Sequence, residues 1–335
     1  MARSAEGKGD RVGTLYLLHA VPITLTLVAA RLDLSNFVGE VTNARGSRVL
    51  TMWTILSINS VTLGGLLFLL SAGFSLIFGL MRIPNLTHGS MFMLGAYFGV
   101  TLIGWGCNFW IASLGAGLGV AMFGGIVERF VLRRLVGAEL AQVLVTLGLS
   151  FMVADTCLML WGGDPISVNT PAIGVGATHL AGVAVPTYRL IIILIAVAIA
   201  AALWGLLDKT RLGAMIRAAV DDPAMARVVG IRVSHLFTIV FSLGAGLAGF
   251  AGVIGGPILS VYPGLDQDML PLALVVVILG GSGSLLGSLV GSFVVGFLYN
   301  FGQAMFPELA YVILFLPMLI VLVIRPRGLF GRVTL

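Results

Sequence analysis

The chain has 335 residues, of which 59% are hydrophobic and 10% charged, with a mean hydropathy of +1.08 and a formal net charge of +5. A soluble domain carries about 25% charged residues, so this composition excludes one and points to an all-α, polytopic transmembrane helical bundle. A pI near 9.6 would suggest nucleic acid in a soluble protein, but here the basic residues are first a matter of membrane topology.

Taken in order, the apolar runs predict spans at 14–30, 53–80, 86–104, 110–127, 140–161, 188–207, 236–256, 269–281, 286–305 and 309–324. The first follows Arg3, Lys8 and Arg11 and also resembles a secretory signal. Read as a span, it makes residues 1–50 an N-terminal extension with an extra transmembrane helix, ahead of a transmembrane domain over 51–335. With the N-terminus in the cytoplasm, 15 of the 19 Lys and Arg fall on inner segments and only Arg31, Arg45, Arg48 and Arg189 on outer ones. That split places both termini inside. The segment 269–281 is short and is followed by the glycines of GGSGSLLGSLVGS, so it reads as a broken or re-entrant element, tolerated at membrane depth where protein or a watery cavity covers it.

Glycine, at 45 residues, predicts closely approaching helices. Gly244, Gly246, Gly249, Gly252 and Gly255 in the span 236–256 look like packing positions. At 100° per residue, Ser57, Ser60, Gly64, Ser71 and Ser75 share one narrow arc, and Ser288, Ser292, Gly296, Tyr299 and Gln303 share another. Each stripe is either a helix-packing face or the lining of a solute path. The path candidates are Ser60, Ser71, Asn85, His88, Asp155, Ser292, Tyr299 and Gln303. His88 also suits an N-terminal cap at the start of its span. Asp155 is an ionisable group inside a span, which is costly in lipid, and so is either a pathway residue or subunit contact, or an interfacial carboxylate near the outer end paired with a neighbour. Asp164, Asp266, Asp268 and Glu308 fall on outer loops, as solvated acids or as a surface that steers a basic partner.

The only long polar island is Asp208 to His235. Leu212 to Val220 is good helix-forming sequence. Asp222-Pro223 then supplies an acidic N-cap and a proline at the first helical position, and Gly230 a left-handed stop. Two short helices result, carrying apolar and basic side chains on a loop: either a solvated loop or a docking site for a soluble partner. The chain has no GxxxxGK[ST] loop and only two lysines, Lys8 and Lys209, so it cannot cradle a nucleotide by that device. Cys107, Cys157 and the histidines have no metal-site spacing, and neither metal nor cofactor is expected on this chain.

The run LLFLLSAGFSLIFGLMRIPNLTHGSMFMLGAYFGV resembles the N-terminal signature of the Liv-type permeases, membrane subunits of branched-chain amino acid ABC importers. GGIVERFVLRRL, VLVTLGLS, TRLGAMIRAAVDDPAMARVVGIRV, FSLGAGLAGFAGVIGGP, VVVILGGSGSLLGSLVGSFVVG and LPMLIVLVIRPRGLFG follow in the same order. The resemblance spans roughly residues 56 to 332. It departs at Thr87, where the family usually has alanine before His-Gly, at Asp155, where an uncharged amide is expected, and in the extension.

The resemblance implies a non-enzymatic permease subunit in a bacterial or archaeal plasma membrane, moving branched-chain amino acids or a related small polar solute by alternating access. It implies a second similar permease, two cytoplasmic ABC ATPases that carry ATP and Mg, and an extracytoplasmic solute-binding protein. The loop 208–235 would couple to the ATPases through Arg211, Met215, Arg217, Asp222, Met225 and Arg227. The alternative is an ion-coupled secondary transporter or channel, which needs paired buried charges near the midplane. An intramembrane enzyme would need a nucleophile and base, and the spans offer none.

Overall fold

A computed structural model describes residues 51–79, 85–180, 183–281, 283–325 and 328–330, with a compact unit over Ile55–Leu335. The predicted span at 14–30, the rest of the extension and both chain ends lie outside the described residues.

The helices are α1 (Thr51–Gly79), α2 (Thr87–Gly104), α3 (Phe109–Phe130), α4 (Glu139–Trp161), α5 (Thr187–Lys209), α6 (Arg211–Asp221), α7 (Pro223–Val228), α8 (Val233–Leu259), α9 (Leu265–Gly280), α10 (Leu285–Met305) and α11 (Ala310–Ile324). Nine of the ten predicted spans are therefore helical. Seven of these helices are long and apolar enough to cross a membrane; α2 and α9 are not among them. The loop between α4 and α5 holds an antiparallel hairpin of β1 (Ala177–Leu180) and β2 (Val183–Pro186), a small exception to the all-α expectation. A single bridge from Ile166 to Val261 ties that loop to the chain after α8.

Local chemistry sets the boundaries. Asn108, Thr210, Asp222 and Ser284 each cap a helix with a side-chain oxygen, satisfying amides that have no intrahelical partner. The start of α9 differs from the expected 269. A left-handed turn at Gly264 (φ +104°) admits the helix at Leu265. Asp266 and Asp268 then lie in its first turn, where the helix dipole favours acids. They are helix-head residues, not members of a free outer loop.

Within the unit α1 is central: 78% of its most apolar window is buried, against 6% for α11. Glycine makes that centre possible. A Cβ at Gly73 would meet the Gly244 carbonyl at 2.5 Å, one at Gly124 the Ala245 Cβ at 2.5 Å, and one at Gly252 would fall on the Phe92 carbonyl. These positions hold α1, α3 and α2, respectively, against α8, so the glycines of α8 pack as the sequence suggested. Outside, α3 shows a stripe of exposed Ile111, Leu114, Leu118, Met122 and Ile126, the face that a hydrocarbon solvent rather than water would cover.

Candidate functional site

The two small-residue stripes meet each other. A Cβ on Gly296 of α10 would lie 2.5 Å from the Ser60 carbonyl of α1, and one on Gly64 would lie 3.2 Å from the Ser292 carbonyl. Ser60 and Ser292 are fully buried and bond to Leu56 and Leu289 of their own helices at 2.8 Å each. This half of each stripe is a packing seam, because close approach needs small side chains whose hydroxyls are satisfied locally. The other half of the α1 stripe is different: the Ser71 and Ser75 hydroxyls are buried without a partner among the described residues.

A polar junction lies where α2, α4 and α9 meet. Gln142, Thr146 and Ser150 are the buried face of α4. Thr87 donates to the Thr146 carbonyl at 2.8 Å, the Ser90 and Ser150 hydroxyls lie 2.6 Å apart, and Ser90 donates to Asp266 Oδ2 at 3.0 Å. Ser150 has 11 residues of α4 on each side, so at 1.5 Å per residue the junction sits roughly 16 Å from either end of that helix. Asp266 is 4% exposed, and its Oδ1 has no partner among the described residues. The start of α2 is buried here too. His88 Nε2 faces the Leu70 carbonyl at 2.9 Å and must carry the proton, which leaves Nδ1 an acceptor without a partner among the described residues. Asn85 accepts from the Thr87 amide at 3.1 Å, while its Nδ2 has no partner among the described residues. Asn85 thus caps α2, and His88 lies inside the bundle, ring against Phe74 at 5.1 Å.

Sequence reasoning missed Ser90, Ser150 and Asp266 as a group. The spacing of Gln142, Thr146 and Ser150 was a signal, but nothing local said that Asp266 faces them. Asp266→Asn replaces one oxygen acceptor by a donor beside two hydroxyls. A hydrogen bond to a charged group contributes about 1.5–3 kcal/mol, so a fall of several degrees in the unfolding temperature of the detergent-solubilised chain is expected. An unchanged melting curve would show that the carboxylate is not held by these serines.

Among the remaining path candidates, Asp155 is exposed on α4, on the opposite side from Ser150 and beside exposed Phe151, Met152 and Met159. A carboxylate on an apolar transmembrane face is costly unless protein or water meets it. Tyr299 and the exposed Gln303 come together near the end of α10, in electrostatic range of Asp268, which accepts from the Tyr262 hydroxyl.

The loop between α5 and α8 forms the two expected helices. Asp222 caps α7 through bonds of 2.9 Å to the Ala224 and Met225 amides, and Gly230 is left-handed at φ +87°. Arg211, Asp222, Met225, Arg227, Val228 and Val229 are exposed, whereas Met215 packs partly against the apolar cluster under the loop. The Arg217 guanidinium turns back to the Leu207 carbonyl and to Asp208 at 3.5 Å, closing the end of α5.

Residues 56–322 match the family model described as branched-chain amino acid transport system / permease component. The chain belongs to this family. It is a multi-pass membrane protein and the transmembrane permease subunit of an ABC importer. It is 26% identical over 290 residues to the high-affinity branched-chain amino acid transport system permease protein BraD of Pseudomonas aeruginosa, covering 82% of this chain and 94% of BraD. Identity to the corresponding protein LivH of Escherichia coli is 25% over 294 residues, with the same coverage. The ribose import permease protein RbsC of Escherichia coli is 27% identical over 233 residues, 64% of this permease and 68% of RbsC. No solved structure matches this permease.

Proposed function

We propose that this permease carries branched-chain amino acids or a related small polar solute across a bacterial inner membrane by alternating access, driven by two separate ABC ATPases that engage the loop from Arg211 to Gly230. The observation that carries the reading is the surface of α7. Met225, Val228 and Val229 are 57%, 80% and 68% exposed, beside exposed Arg227, at the tip of a polar loop. An apolar and basic tip of this kind suits a protein partner. BraD and LivH, which this permease matches over most of their length, are named for branched-chain amino acids, and that supports the solute class. A second similar permease would cover the α4 face that displays Asp155, and a solute-binding protein would dock at the end that carries the β1–β2 hairpin.

The test is reconstitution in liposomes with and without the ATPase subunits and binding protein. Uptake of labelled leucine against its gradient is expected only with the full set and ATP. Accumulation by the isolated permease under an ion gradient would overturn this reading in favour of a secondary transporter.

A further inference from the structure

The loop is fastened at both ends by an arginine, and the two fastenings are unequal. At the α5 end Arg217 reaches the Leu207 carbonyl and Asp208, both side chains being well exposed at 36% and 52%. At the α8 end Arg133, just beyond α3, bonds the Ser234 carbonyl at 2.7 Å and the Thr238 hydroxyl, and pairs with Glu128 at 3.3 Å. Thr238 in turn donates to Glu128 at 2.6 Å. Glu128 is 1% exposed. An exposed pair holds weakly, whereas displacement here would strand the buried Glu128 carboxylate, even though Arg133 itself is 30% exposed. The second fastening is the stronger of the two.

The packing agrees. The small apolar cluster under the loop joins Ile216 and Ala219 of α6 and Ala226 of α7 to Val233, Leu236 and Val240 of α8. No α5 residue is part of its buried centre; Leu207 only packs at the margin. α6 and α7 are thus seated through their apolar sides on the first turns of α8, while the start of α6 abuts the end of α5, where a Cβ at Gly213 would fall on the Leu207 carbonyl. Beyond its first turns α8 meets α3, α2 and α1 at glycines that leave no room for a side chain: a Cβ at Gly125 would lie 2.5 Å from the Ser242 hydroxyl, one at Gly249 2.7 Å from Val120, one at Gly95 on the Gly249 backbone and one at Gly73 on the Gly244 carbonyl.

We infer that Glu128, Arg133 and Thr238 are positioning residues that lock α8 to α3, so that movement of the loop is delivered through α8 to the α1–α2–α3 block. The lock transmits force because each of its members is held by two others, and a displacement of α8 against α3 would strand the buried Glu128 carboxylate. This inference rests on the proposed docking of ATPases to the loop.

The assembled importer, with its ATPases, is compared without nucleotide and with ATP plus vanadate by hydrogen–deuterium exchange. In the wild type, nucleotide is expected to change exchange both in 211–230 and in the distant segments 87–104 and 265–280. In Arg133→Ala and in the milder, nearly isosteric Thr238→Val, the distant change should fall at least about threefold, with the loop response and ATP hydrolysis retained. Arg133→Lys should restore part of it, and Arg134→Ala, an exposed neighbour outside the lock, should leave it near wild type. The inference is overturned if Thr238→Val transmits fully, if Arg134→Ala loses the distant change to the same degree, or if the wild type responds in the loop alone. A wild type with no nucleotide response even in the loop would instead sink the proposed coupling.

Discussion

Gly252→Leu is expected to abolish accumulation of the folded permease. A Cβ at this position would fall on the Phe92 carbonyl, with the Ala96 amide nitrogen at 2.9 Å, and both belong to the backbone of α2. A side-chain neighbour can rotate away; a helix backbone cannot. Overpacking of a core costs about 1–3 kcal/mol when side chains can adjust, and here a helix that also lies at backbone distance from α9 through Gly89 would have to move. The result should be a loss of more than about tenfold in monodisperse protein, each 1.4 kcal/mol corresponding to a factor of ten, measured by fluorescence-detected size exclusion. The sign should reverse where a glycine has room. A Cβ at Gly205 of α5 would meet nothing within 4 Å, so Gly205→Ala should be neutral or stabilising, since alanine is favoured over glycine in a helix by up to about 1 kcal/mol. Equal yields for Gly252→Leu and Gly205→Ala would refute the account of α8 as a tightly packed centre.

The double substitution Met225→Glu and Val228→Glu should leave the permease folded while stopping uptake. The two residues are three apart on α7 and so share a face, and both are exposed, so neither change opens a cavity or buries a charge in the isolated chain. Against an ATPase, two carboxylates would have to be desolvated in what had been an apolar contact. Hot-spot losses of about 2 kcal/mol or more are typical for such positions, which corresponds to at least about thirtyfold weaker ATPase binding. Pull-down of the ATPases and uptake should fall together, with an unchanged melting temperature. Retained binding would move the docking surface elsewhere on the loop, to the exposed side of α6 around Arg211.

The same loop was the most legible part of the sequence. Asp222, Pro223 and Gly230 determine where α7 starts and stops through bonds that reach only two or three residues along the chain, and such local preferences survive whatever the rest of the fold does. Arg217 shows the limit of that reading. Its type and place suggested a contact for a partner, and only the return of α6 against the end of α5 reveals that its guanidinium is occupied by Leu207 and Asp208. The serine and glycine stripes of α1 and α10 were visible as periodicities. That they face each other, and so form a seam instead of a path around Ser60 and Ser292, depends on which helices are neighbours.

By itself the sequence determined the class of molecule, which apolar segments form helices and the residues that start and stop α7, because hydropathy and helix capping act over a few turns of a single segment. The tertiary structure decided which side of each helix does what. Asp266 is 116 residues from Ser150 and 176 from Ser90, and Glu128 is 110 from Thr238. No local rule connects residues so far apart. Glycines let the helices approach at backbone distance, Gly89 of α2 against the Asp266 carbonyl of α9 and Gly124 of α3 against Ala245 of α8, and it is that packing, not any pattern along the chain, that leaves an Asp266 carboxylate oxygen inside the bundle without a partner among the described residues.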